Sequence, residues 1–174
     1  MSIMKKPICI LFAGPVGSSK SPIANHLSWN LGLPIFNRDA IRTEVREDTL
    51  VVEKDPEILH QITEERLGKL VKSQKSFILD SSMDRKYKEV KEGLEEYGYE
   101  RFLISIDISK DLLLKLYKAK GYTESIDLVD RFIEDHQKFL EEYGEEVDIR
   151  IDDNNFLDRL NICLKAVEEY IESR

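Results

Sequence analysis

The sequence predicts an α/β fold: a three-layer α/β/α sandwich around a five-stranded parallel sheet. Three observations predict it. Short, continuous apolar runs alternate with amphipathic stretches from one end of the chain to the other. Such runs are what strands buried on both faces look like. A helical stretch separates each strand from the next, so the strands pair in parallel through right-handed crossovers. Finally, the 174 residues contain no repeat, low-complexity segment or linker, which predicts one domain over 1–174.

The elements follow in order. Ile8 to Ala13 is the first apolar run. Gly14 to Ser21 is a loop. Ile23 to Leu31 has helical spacing and stops at Gly32 and Pro34. Ile35-Phe36 is a short extended piece, and Asp39 to Glu47 reads as a helix. Pro56 opens a longer helix to about Lys72, since proline is tolerated in a first turn. Ser76 to Asp80 is a second buried strand. Asp84 to Tyr97 is a charged helix ending at Gly98. Arg101 to Asp107 is a third core strand. Lys110 to Lys120 and Ile126 to Tyr143 are helices ending at Gly121 and Gly144. Val147 to Ile151 alternates in the manner of an edge strand. Phe156 to Ile171 is the last helix, with Leu157, Leu160, Leu164 and Val167 as its apolar stripe.

Composition narrows the function. At 41% hydrophobic residues the chain is too apolar to be disordered. Its 34 acidic residues against 26 basic ones give a net charge of −8, the wrong sign for a general nucleic-acid sheath. Two cysteines exclude a disulfide scaffold. Cys9 lies in an apolar run and Cys163 among helical residues, so both read as reduced, buried thiols. The apolar stretch after Lys5-Lys6 is short and ends in a glycine-rich turn, unlike an export signal. No stretch approaches a membrane span. The expectation is a cytoplasmic protein with no membrane partner. His26, His60 and His136 do not cluster at metal-ligand spacing. His26 reads as a packing residue, Trp29 on the same helix as core or a partial surface anchor, and Arg131 as part of a solvated face or else an arginine supplied to the site from elsewhere.

The most informative stretch is Gly14-Pro15-Val16-Gly17-Ser18-Ser19-Lys20-Ser21. It follows a buried strand and precedes a helix, the context that phosphate binding requires. Successive backbone amides in such a loop point inward and form an anion nest, and the helix N-terminus adds partial positive charge. Lys20 then reaches the outer phosphates, and the Ser21 hydroxyl ligates magnesium. The implied ligands are ATP and Mg2+. The pattern departs from G-x-x-x-x-G-K-[ST] at Ser19, where a glycine would turn without a Cβ. Pro22 is unusual but lies in a first turn. The other reading is a glycine-rich turn carrying a surface lysine. Asp80, at the end of its strand, lies beside this loop. It holds a magnesium-bound water or helps position the acceptor, or else caps the following turn. Asp107 reads as a cap.

With Leu31-Gly-Leu-Pro34 and Asn37-Arg38-Asp39-Ala40-Ile41-Arg42 downstream, the chain resembles the P-loop kinases grouped with phage polynucleotide kinase, zeta-type toxins and bacterial predicted kinases. The resemblance is strongest from Ile8 to Arg46. It implies the strand order 2-3-1-4-5 of the nucleoside-kinase-like P-loop NTPases, a short helical lid at about 110–125, and transfer of the ATP γ-phosphate to a hydroxyl. It places Asp39 where a carboxylate can deprotonate the acceptor, with Arg42 one turn on to fork onto it. It matches Asp80-Ser81 to the family's strand-end pair. It sets Lys118 and Lys120 where lid arginines are usual; lysine supplies charge without the planar fork. Read without the resemblance, Asp39 complements a helix dipole and pairs with Arg42, and the two lysines form a basic last turn.

These readings lead to an ATP-dependent kinase acting on a small molecule or nucleotide. Two alternatives stay open. One is a polynucleotide 5′-hydroxyl kinase, carried by the Asn37–Arg42 pattern. The other is a nucleotide-binding protein without transferase activity, carried by Ser19, Pro22 and the lysines in the lid.

Overall fold

The computed structural model describes residues 6–49, 56–122 and 126–174. Strands β1 (Ile8–Ala13), β2 (Ile35–Phe36), β3 (Phe77–Ser82), β4 (Glu100–Ile106) and β5 (Ile149–Ile151) form one sheet in the order β2-β3-β1-β4-β5. Every pairing is parallel. The helices are α1 (Lys20–Leu31), α2 (Arg38–Thr49), α3 (Pro56–Lys72), α4 (Tyr87–Glu96), α5 (Lys110–Lys120), α6 (Val129–Tyr143) and α7 (Arg159–Glu172).

The central strand shows why the sandwich forms. All of β1 is buried, and its side chains alternate between two cores, as the period of a strand demands. Ile8, Ile10 and Phe12 join Ile23 and Leu27 of α1 and Cys163 and Val167 of α7. Cys9, Leu11 and Ala13 join Phe77, Leu79, Tyr87 and Phe139 on the other face. A fully buried aliphatic side chain contributes about 1.5–3 kcal/mol, so two filled layers hold the sheet between helices. Burial also pushes the Cys163 thiol up to about 12 and raises that of Cys9; both are free thiols.

The register of β1 on β3 breaks between Leu11 and Phe12: Leu11 faces Leu79 and Phe12 faces Ser82. Asp80 and Ser81 are thereby bulged out of the ladder at the carboxyl edge of the sheet. Such bulges re-aim side chains. The strands' carboxyl ends gather Gly14, Asn37, Asp80 and Asp107 at this edge, where open α/β sheets bind ligands.

Four expectations change. Residues 84–86 form a turn, and α4 begins only at Tyr87, because the Asp84 carboxylate is drawn inward by hydrogen bonds. Residues Phe156–Asp158 form a 3-10 turn before α7. Its three-residue period throws Leu157 outward, at 90% exposure, out of the expected stripe. Trp29 is 89% exposed and packs no core. Asp107 caps no helix; it belongs to a charged network described below. Among the described residues no helix is long and apolar enough to cross a membrane, and no group of histidine, cysteine and carboxylates is arranged to hold a metal.

Candidate active site

The loop from Gly14 to Ser21 links β1 to α1. Ser18 donates its amide to the Pro15 carbonyl at 3.2 Å, closing a turn. The amides of Val16, Gly17, Ser19 and Lys20 donate to no protein acceptor among the described residues. Four unpaired amides in one half-buried loop are rare, because such groups are costly to desolvate. Together they form a nest for an anion. Gly17 has φ +83°, and a Cβ there would stand 2.2 Å from Cε1 of Tyr117. That ring is fixed, since Tyr117 is fully buried and donates its hydroxyl to the Val16 carbonyl at 2.8 Å.

Ser19 takes the left-handed conformation of the missing glycine, φ 73° and ψ 37°, and caps α1. The departure at this position is therefore absorbed by backbone strain and not by a change of path. A left-handed L-residue costs about 1–2 kcal/mol, and glycine returns part of that gain to the unfolded chain. Ser19→Gly is expected to change stability by less than about 1 kcal/mol, whereas the β-branched Ser19→Val should cost about 2 kcal/mol or more. Urea unfolding of the two variants measures both.

Lys20 lies against the loop. Its ammonium donates to the carbonyls of Gly14 at 2.8 Å and Pro15 at 2.6 Å, and to the Ser18 hydroxyl at 3.2 Å. Burial lowers its pKa to about 8, opposed by the nearby carboxylates of Asp84 and Asp80. Ser21 donates its hydroxyl to Oδ1 of Asp80 at 3.2 Å, and Asn37 donates its amide to Oδ2 at 2.7 Å. Oδ1 of Asn37 in turn accepts the amides of Asp39 at 2.8 Å and Ala40 at 3.1 Å, so Asn37 caps α2. One carboxylate thus joins the loop, the end of β3 and the start of α2. Asp39 itself is exposed and forms an ion pair with Arg42 at 2.9 Å.

No family model matches the chain, and no curated protein does. Solved structures do. A gluconokinase from Sinorhizobium meliloti 1021 aligns with a TM-score of 0.62 at 15% identity, over 97% of this chain and 94% of its own. A shikimate kinase from Aquifex aeolicus aligns with a TM-score of 0.59 at 17% identity, over 95% of this chain and 99% of its own. A chain of the PezAT toxin–antitoxin system of Streptococcus pneumoniae aligns with a TM-score of 0.63 at 20% identity, over 84% of this chain and 68% of its own. This chain has the P-loop kinase fold.

Around the P-loop, α5 supplies one close cation. Lys120 donates to the Gly17 carbonyl at 2.7 Å and to the Ser19 hydroxyl at 3.2 Å. Its pKa is lowered by burial and by the charge of Arg159 at the start of α7. Lys118 is exposed, and its side chain has no ion pair among the described residues; Arg131 is likewise exposed. Residues 123–125 of the expected lid lie outside the described residues. Two cavities meet at Ser81 and Lys86, and the first of them touches the P-loop at Val16. One, of about 310 Å³, is lined by Val16, Ser82, Asp84 and Phe132. The other, of about 570 Å³, lies between α3 and α4 and is lined by Phe36, Arg38, His60 and Tyr97. The Lys86 pKa is lowered by burial and by Arg38.

The sequence reading missed Asn37, Tyr117 and, above all, Asp84 and His136. Oδ1 of Asp84 accepts the amide of Gly14, the first residue of the P-loop, at 2.9 Å. The same oxygen meets Nδ1 of His136 at 3.1 Å. Two residues beyond the end of β3, Asp84 carries no local mark of this role. His136 does carry one: it is a polar residue within the stripe Phe132, His136, Phe139 and Tyr143, at helical spacing on the buried face of α6.

Proposed function

We propose that this chain is an ATP-dependent kinase that transfers the γ-phosphate to a hydroxyl of a small molecule or nucleotide. The unpaired amides of the P-loop carry this reading: with Lys20 beside them they offer donors to a triphosphate and to little else. Gly14, Pro15, Val16, Gly17, Ser18 and Ser19 form the cradle, and Lys20 supplies charge to the outer phosphates. The Ser21 hydroxyl and the Asp80 carboxylate, in contact at 3.2 Å, are the hard oxygen donors that Mg2+ prefers. When bound there, Mg2+ would neutralise charge between the terminal phosphates.

On the acceptor side Asp39 takes the hydroxyl proton, and Arg42, now its ion-pair partner, orients the acceptor. Lys120, already on the loop, neutralises charge from the lid at 110–125. Lys118 enters as an exposed cation on the same helix. The 570 Å³ cavity shares Ser81 and Lys86 with the loop-side cavity and has the size of a small-molecule site. It supports a small acceptor over a polymer, as does the net charge of −8.

The test is ADP release from Mg-ATP against a panel of sugars, nucleosides and other small alcohols, beside a labelled 5′-hydroxyl oligonucleotide. The expected result is turnover on a small alcohol. Turnover on the oligonucleotide alone would assign a polynucleotide acceptor. Tight nucleotide binding with no turnover on any acceptor would leave a binding protein.

A further inference from the structure

Behind the P-loop lies a buried chain of charges. Nδ1 of His136 faces Asp84 at 3.1 Å, and Nε2 faces Oδ1 of Asp107 at 3.0 Å. Arg150 of β5 donates to the other oxygen of Asp107 at 3.1 Å, and Ser105 of β4 donates to Oδ1. His136 is 5% exposed and stacks on Phe139. A neutral imidazole carries one N–H and cannot donate to two carboxylates. With both carboxylates ionised, only the imidazolium satisfies both contacts.

We infer that His136 is a positioning residue of the P-loop: held as imidazolium between Asp84 and Asp107, it fixes the carboxylate that anchors the Gly14 amide, and so couples nucleotide affinity to its own protonation. The inference rests on the ATP reading of the loop. Asp84 is the hinge of the argument. Its carboxylate is the sole side-chain acceptor of the Gly14 amide, while the Gly14 carbonyl is held by Lys20 at 2.8 Å and by Ser82 at 3.0 Å. Gly14 is thereby clamped on both sides, and a Cβ there would stand 3.0 Å from Cβ of Ile106. Loss of the imidazole proton sets a nitrogen lone pair against one carboxylate. Asp84 or Asp107 must then move, and only Asp84 touches the loop.

The direction follows. Burial works against the imidazolium, but Asp107 and Asp84 outweigh it, and the pKa is raised above 6.5. The charged groups around it are Asp84 after β3, Asp107 after β4 and Arg150 on β5. On α6 itself Asp135 is paired with Arg85, and Asp84 also acts electrostatically on Lys20. A raised folded pKa gives stability that is fully present below the unfolded value and lost as pH rises through the folded one. Thermal melts alone therefore do not separate positioning from a structural role. Nucleotide linkage does: if the imidazolium favours the binding loop, Mg-nucleotide must raise the His136 pKa, and affinity must fall by the same factor as the proton leaves.

The experiment is a pH titration of the histidine-labelled, 15N-labelled full chain by NMR, free and saturated with Mg-AMP-PNP. His136 is assigned through His136→Gln. In the free protein the Gly14 amide resonance should titrate with the His136 pKa, and should lose that inflection in His136→Gln and in Asp84→Asn. With Mg-AMP-PNP the His136 pKa should rise by about half a pH unit, equivalent to roughly threefold in affinity. In His136→Gln the affinity should lose its dependence below the pH at which Lys20 itself titrates. A Gly14 amide that ignores His136, or a His136 pKa unmoved by a nucleotide that visibly perturbs the loop, overturns the inference. Were Mg-AMP-PNP to perturb no loop resonance, the ATP reading and the nucleotide half of the inference would fall together, and a Gly14 inflection in the free protein would still support the anchoring half.

Discussion

Lys20→Ala is expected to weaken Mg-ATP binding by about 100-fold, measured by calorimetry at fixed ionic strength. A hydrogen bond to a charged group is worth about 1.5–3 kcal/mol, and each 1.4 kcal/mol is tenfold in affinity. The lower figure already gives more than tenfold for one such bond, which Lys20 offers a terminal phosphate on turning from the loop oxygens that now take its N–H groups. The environment magnifies the loss. Burial lowers the ammonium's pKa to about 8, and a phosphate in the loop would favour its charged form. Among the described residues no other cation contacts the Gly14 and Pro15 carbonyls. Lys120 is engaged with Gly17 and Ser19 on the α5 side. Lys20→Arg should not rescue binding, because the ammonium sits between carbonyls 2.8 Å and 2.6 Å away and a guanidinium is too broad for that space. Unchanged affinity in Lys20→Ala would remove the phosphate loop from the molecule's function.

How much of this was legible in the sequence depends on how local each signal was. The first strand, loop and helix were readable because an apolar run, a glycine-proline turn and a helical period follow one another within a few residues. The bounds of α5 fell at Lys110 and Lys120 as read, since Ser109 caps it and Gly121 closes it in the left-handed region. The strand order needed the family resemblance. Ser19 was the hardest position to judge alone. Its left-handed backbone is backed by Lys120, 101 residues away, which donates to its hydroxyl, and by the turn that Tyr117 buttresses. No local rule weighs such contacts. The same distance hid Asp84, Asp107 and His136, which approach one another only when β3, β4 and α6 are assembled. The stripe on the last helix failed for the opposite reason. A helical period was extended into Leu157, where the chain makes a tighter turn. Trp29 was read as core or a partial surface anchor, but it lies off the stripe of Ile23, Ala24 and Leu27 that α1 buries.

Asp39→Asn is expected to lower kcat by about 100-fold to 10,000-fold, the usual contribution of a positioned general base, while leaving Mg-ATP affinity within about twofold. Asparagine keeps the shape and the α2 cap, which Asn37 provides through its own side chain. The substitution removes only the charge. The ion pair with Arg42 is exposed, with the Asp39 side chain at 80%, and exposed pairs contribute about 0–1 kcal/mol. Folding is therefore nearly unaffected, and a loss of turnover reports chemistry. The geometry sets one further condition. In the free protein the carboxylate faces Arg42, so an acceptor must draw one or both partners away before the base can act. Arg42→Ala frees Asp39 but removes the group that orients the acceptor. It should raise the acceptor KM more than it lowers kcat. If Asp39→Asn turned over normally, Asp80 would be the remaining carboxylate at this edge. It already bridges Ser21 and Asn37 at 3.2 Å and 2.7 Å, and a single group cannot readily hold magnesium and accept a proton at once. Preserved turnover would therefore mean that the proposed transfer proceeds without a general base, on an acceptor activated by position and metal alone.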